Sequence, residues 1–164
     1  MPRVAMILNN PTLKVAVDEA GLLTGQAVEC QVVTGVVAAT PNYNTIPATA
    51  CAGASQSPGL DSWSLNLTWL DDWTEPAPGG LSQFAYDNSG KEVWFELTPD
   101  TNVPGLKATG HAYAVSGSIG GNFGDGSAAQ STATWPCLEQ PVVTPATVTT
   151  TATTEGTEET AAAA

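Results

Sequence analysis

Residues 61–73, DSWSLNLTWLDDW, restrict the fold of this chain more than any other stretch. Trp63, Leu65, Leu67 and Trp69 fall on one parity, and Ser64, Asn66 and Thr68 on the other. Successive side chains of a strand point to opposite faces, so seven alternating positions define a half-buried strand. Burying each large apolar side chain stabilises by roughly 1.5–3 kcal/mol, so these four residues are expected to anchor a core. Asp71 and Asp72 then read as a solvated strand end. Carboxylates adjacent in a strand point to opposite faces and do not converge on one substrate.

The same alternation recurs along the chain. Residues 4–8 and 13–17 read as short strands divided by an Asn-Asn-Pro turn, and residues 26–38 as a longer one. In the longer strand Val28, Cys30 and Val32 share a parity, with Glu29, Gln31 and Val33 opposite, and Gly35 marks a bulge or a close neighbour. Residues 91–98 place Val93, Phe95 and Leu97 inward and Glu92, Trp94 and Glu96 outward, which makes Trp94 a contact residue rather than a core one. Residues 107–119 are expected to turn Tyr113 and Val115 to the core and small residues away. Residues 127–135 alternate up to Trp135, and Pro136 stops them. One helix is expected at 81–88, where Leu81, Phe84 and Ala85 stand at helical spacing before Gly90. The pattern predicts a mainly β fold, a β-sandwich or barrel with one short flanking α-helix. Its expected core is Trp63, Leu65, Leu67, Trp69, Phe84, Val93, Phe95, Leu97, Tyr113, Val115 and Trp135.

Two segments break the pattern. Residues 39–59 hold three prolines, many small residues and no charge. That is too long for an ordinary connection, and its lack of charge predicts an arm packed on a neighbour rather than a solvated loop. Residues 144–164 are Thr/Ala/Glu-rich without an aromatic, and such a composition predicts a flexible tail. One domain, residues 1–143, is expected to precede that tail, and a chain of that size buries enough surface to hold a core without disulfides or metal.

Sixteen acids face four bases, a net charge of −12, which argues against binding to nucleic-acid phosphates. Cys30, Cys51 and Cys137 are an odd, scattered set, expected as small buried apolar residues in a reducing compartment. The N-terminus lacks a signal-peptide pattern and no apolar run reaches membrane-span length, so a cytoplasmic product without membrane contact is expected. His111 sits mid-strand without a GxSxG serine elsewhere and reads as structural. The glycines of 117–126 open no helix and so offer no phosphate cradle, and Asp125 lies in a Gly-Asp-Gly turn without EF-hand spacing. No catalytic residue, metal ligand or cofactor is predicted, and the chain is not expected to be an enzyme.

In order, WSLNLTWLDDW (63–73), LSQFAYDNSG (81–90), KEVWFELTPD (91–100) and GLKATGHAYAVSGSIGGNFGDGSAAQSTATWP (105–136) resemble the major tail protein, or tail tube protein, of long-tailed, siphovirus-like bacteriophages. The resemblance covers about residues 12–143. It implies a structural virion protein, made in the bacterial host cytoplasm and placed in the tail. Homo-hexameric rings would stack into a tube on a tape-measure protein, bounded by terminator and tip proteins, and double-stranded DNA would pass through it without specific binding. Residues 39–59 would then form the ring-to-ring contact arm, with Tyr43, Ile46 and Pro47 as contacts. Glu29, Gln31, Ser64, Asn66, Thr68, Gln130, Thr132 and Thr134, all on polar parities, are the candidates to face the lumen, where the net negative charge would repel phosphates. A secreted or surface β-sandwich binding module is the alternative.

Overall fold

The computed structural model describes residues 11–25, 28–71, 80–103, 105–117 and 129–145. The expected strand at 4–8, the glycine-rich turn at 120–126, Asp72 and the tail from 146 onward lie outside them. The fold is mainly β, with antiparallel pairing throughout. Its strands are β1 (Thr12–Ala16), β2 (Val28–Thr40), β3 (Tyr43–Ile46), β4 (Ser55–Pro58), β5 (Ser62–Leu70), β6 (Glu92–Thr98), β7 (Lys107–Tyr113), β8 (Gln130–Pro136) and β9 (Val142–Thr144). Two helices interrupt them, α1 (Glu19–Thr24) and α2 (Leu81–Asp87).

Seven strands follow one another in the order β8-β5-β2-β1-β6-β7-β9, and β3 pairs with β4 separately. The long strand β2 divides its partners. Residues 28–31 pair with β1, whereas Val32 and 34–40 pair with β5, with a register irregularity between Val32 and Thr34. Such a bulge bends a strand and advances its parity by one residue. The inward set is therefore Val28, Cys30 and Val32 before it and the Gly35–Val37 parity after it. Gly35 is needed for a close approach: a Cβ there would stand 2.8 Å from Leu97 Cδ1. Two layers result. One holds β1, β6, β7, β9 and the start of β2; the other holds the rest of β2, β5 and β8. They are also joined where the chain leaves β8, because Cys137 N donates to Trp63 O (2.9 Å) and Leu138 N donates to His111 O (3.0 Å).

Between the layers lies one core of Leu13, Val15, Val32, Leu65, Leu67, Trp69, Val93, Phe95, Leu97, Ala112, Ala114, Ala133 and Trp135, capped by Leu81 and Ala85 of α2. Four residues expected there stand elsewhere or only partly inside. Tyr113 and Val115 are 41% and 38% exposed, because β7 turns its small residues inward instead. Ala108, Gly110, Ala112 and Ala114 are buried there. A Cβ on Gly110 would lie 3.2 Å from both Phe95 Cζ and Pro141 Cβ, so the Phe95 ring of the neighbouring strand β6 crowds the inner side of β7, where only small residues stand. Trp63 is half-buried at the start of β5, and Phe84 is half-buried against the core.

Helix α1 has no counterpart in the sequence reading. Its local signals are caps: the Asp18 side chain accepts from Gly21 N at 2.6 Å, and Gly25 ends it at φ 77°. With only Gly21 buried, it shows no apolar stripe. Strand β9 includes Thr144, the first residue of the expected tail, paired with Lys107.

Candidate assembly surfaces

The arm at 39–59 is a β-hairpin rather than an aperiodic loop. Strand β2 runs into β3 and β4 runs into β5, so the two pairs are one long hairpin with its ladder interrupted. Gly59 N donates to Asn42 O (2.7 Å) and Asn42 Nδ2 donates to Leu60 O (2.9 Å) across the interruption. At the far end a bridge joins Thr49 and Ala52. Tyr43 and Ile46 are 60% and 50% exposed, and Pro47 is exposed as well. Alternation was invisible here because every residue of β3 is exposed, so selection of apolar residues on one face has no cause. From Cys30 to Leu70 the single charged residue is Asp61.

That neutrality continues onto the outer face of the β2–β5–β8 layer. Cross-strand register sets Thr34, Thr68 and Thr132 in one row, Val36, Asn66 and Thr134 in the next, and Ala38, Ser64 and Pro136 in a third. Thr134 Oγ1 donates to Asn66 Oδ1 at 2.8 Å, and the Thr68 and Thr132 hydroxyls lie 3.4 Å apart. Gln130 shares the face at the end of β8, opposite Leu70. The face is a sheet of hydroxyls, amides and small apolar groups without an ion. It is bordered by open edges: among the described residues, β8 and the 34–40 part of β2 each have one strand neighbour, β5.

The lumen candidates therefore do not form one surface. Ser64, Asn66, Thr68, Gln130, Thr132 and Thr134 stand together. Glu29 belongs to the outer face of the other layer, ion-paired with Lys14 at 2.9 Å, and Gln31 pairs with Thr12 in that layer. The bulge in β2 is the cause, since it carries the strand from one layer to the other.

The outer face of the β1–β6–β7 layer is charged. Lys107 Nζ meets Glu96 Oε2 at 2.7 Å, and Tyr113 Oη donates to Glu92 Oε1 at 3.3 Å. The Lys14 ammonium is held above its ordinary pKa, chiefly by its hydrogen bond to Glu29. Trp94 stacks on His111, ring centroids 4.4 Å apart and planes 13° apart. His111 Nδ1 is buried without a hydrogen-bond partner, 3.8 Å from Glu139 Oε1.

Asp71 is not a solvated strand end. Trp69 Nε1 donates to Ser82 Oγ (2.9 Å), which donates to Asp71 Oδ1 (3.0 Å), so the half-buried carboxylate ties β5 to α2. Nothing in the spacing of Trp69, Asp71 and Ser82 announces this chain, because α2 is brought onto β5 only by tertiary packing. All three cysteines are free, and Cys51 is exposed at the hairpin end rather than buried. Burial pushes the Cys30 thiol up to about 12, and the Cys137 thiol up to about 11. Among the described residues no three His, Cys, Asp or Glu side chains are grouped to hold a metal ion, and no helix is long and apolar enough to cross a membrane. No protein-family model matches the chain, and a search of curated proteins finds no relative.

Proposed function

We propose that this chain is a structural virion protein whose copies complete one another's sheets, forming stacked hexameric rings that build a phage tail tube. The observation that carries the reading is the long neutral hairpin. It joins an exposed arm bearing Tyr43 and Ile46 to a sheet layer with open edges. An open strand edge is a template for pairing, and closing such edges between copies around a ring removes them. A chain of net charge −12 meets like charge wherever acidic surfaces approach each other. Its neutral arm escapes that repulsion, which suits the contact from ring to ring.

The Thr/Asn/Gln face of β2, β5 and β8 is assigned to the passage for double-stranded DNA. The wall is then neutral rather than carboxylate-lined. DNA would slide because this face offers no lysine or arginine to hold a phosphate, and tight phosphate binding depends on such cations.

Negative-stain microscopy of the concentrated full chain tests the reading, with rings or tubes as the expected result. A chain lacking 41–58 should remain folded, since the core lies elsewhere, and should not extend rings into tubes. Normal tubes from the deleted chain would overturn the arm's role. A monomer at every concentration would favour the binding-module alternative.

A further inference from the structure

A cleft of about 410 Å³ opens on the charged side of the molecule, between α1 and the β6–β7–β9 edge. Leu22, Trp94 and Val142 supply its apolar lining, and Glu19 and Glu139 its acid groups. Trp94 is braced by its stack on His111, and Val142 is 66% exposed. Glu96 also lines the cleft, but Lys107 already pairs with it at 2.7 Å. The volume falls in the ordinary range of ligand sites, ~300–1,000 Å³. An apolar floor between carboxylates suits a segment with a cation beside aliphatic side chains.

A census of cations narrows the source. The chain has four lysines and arginines. Lys14 is paired with Glu29, Lys107 with Glu96, and Lys91 Nζ donates to the Asp87 carbonyl at 2.9 Å. The fourth is Arg3, in MPRVAMIL, where it is followed by Val4, Met6, Ile7 and Leu8. Among the described residues every lysine is thus already engaged, whereas Arg3 is carried by an aliphatic segment.

We infer that the cleft receives residues 1–8 of a second copy, with Arg3 between Glu19 and Glu139 and the aliphatic side chains against Leu22, Trp94 and Val142. The inference rests on the self-assembly reading for the presence of the second copy. In an assembly of strongly acidic subunits, such docking supplies an attractive charge contact, where uncompensated acids would repel. It would make association sensitive to ionic strength, since exposed pairs are screened by salt.

The test is a titration of the full-length chain carrying Arg3→Glu with a peptide of residues 1–10, read at the Trp94 indole N–H resonance. A saturable shift that weakens with salt is expected. Reversing the cleft acids with Glu19→Lys and Glu139→Lys should weaken binding roughly tenfold, the scale of two exposed charge contacts. A peptide carrying Arg3→Glu should then regain affinity for that reversed cleft. No shift at Trp94, or binding indifferent to these exchanges, would overturn the inference. In the wild-type chain, a Trp94 signal independent of protein concentration would place the segment in its own copy and overturn the contact between copies. Microscopy separates the two claims: peptide binding without tubes retains the cleft and removes the tube, and tubes without peptide binding do the reverse.

Discussion

The two layers of the sandwich share an architecture and differ in what they show to the outside. Both alternate, and both feed one core through residues such as Leu65 and Trp69 on one side and Val93 and Phe95 on the other. On the β1–β6–β7 face, polar positions carry ions in cross-strand pairs, Lys14–Glu29 and Lys107–Glu96. On the β2–β5–β8 face the equivalent positions carry Thr, Ser, Asn and Gln, in register and partly hydrogen-bonded to one another. A net charge of −12 is therefore a property of the chain and of neither face. Neutral and ionic surfaces are thus separated by layer.

The largest effect that tests this comparison is on stability, within the neutral layer. Trp69→Ala removes a side chain 1% exposed and should cost roughly 3–5 kcal/mol in chemical denaturation, as large aromatic truncations in cores do. Trp63→Ala, at a half-buried position of the same strand, should cost well under half of that. Equal losses would mean that the hairpin root is as much core as the layer's centre. Next comes Ser82→Ala, which leaves Trp69 Nε1 and Asp71 Oδ1 without their shared partner and should cost about 1–3 kcal/mol. No loss of stability would show that the layer does not depend on its tie to α2.

A smaller effect appears at alkaline pH, through β2 where the layers meet. The Cys30 thiol is raised from an ordinary value of 9.0 to about 12 by burial, so the unfolded chain releases its proton first. Its contribution is fully present below pH 9 and is lost as pH rises toward 12. Replacing Cys30 with Ala should flatten the fall in melting temperature over that window, and an unchanged slope would refute the assignment. Least costly for folding is Thr68→Lys with Thr132→Lys, two exposed-face changes expected within about 0.5 kcal/mol of neutral each. If the proposed tube forms, tubes with these lysines should retain duplex DNA, with retention falling steeply as salt rises. The same lysines at Thr12 and Thr98, on the charged layer, should not retain DNA inside the tube. Retention by both sets, or by neither, would erase the difference between the faces.

Period-2 alternation made the mainly β architecture legible, along with the inward set of β6, that of β5 from Leu65 onward, and Trp135 of β8. It worked where large apolar residues alternate with polar ones, as in Val93, Phe95 and Leu97. It failed in β7, where alanine and glycine face inward and Tyr113 outward, because large size does not imply burial where the Phe95 ring of the neighbouring strand already crowds the inner side. The arm was legible by its missing charge but not as a hairpin, since strands exposed on both faces carry no alternation. Helix α1 is too short for a stripe and was marked only by its caps.

By itself the sequence determined which strands have a buried face, since the pleat forces every second side chain to one side. It also determined that the acids avoid residues 31–60. Only the tertiary structure decided which polar faces join. The bulge after Val32 moves β2 between layers, sends Glu29 to one side of the molecule and Asn66 to the other, and no local spacing encodes where a long strand changes partners.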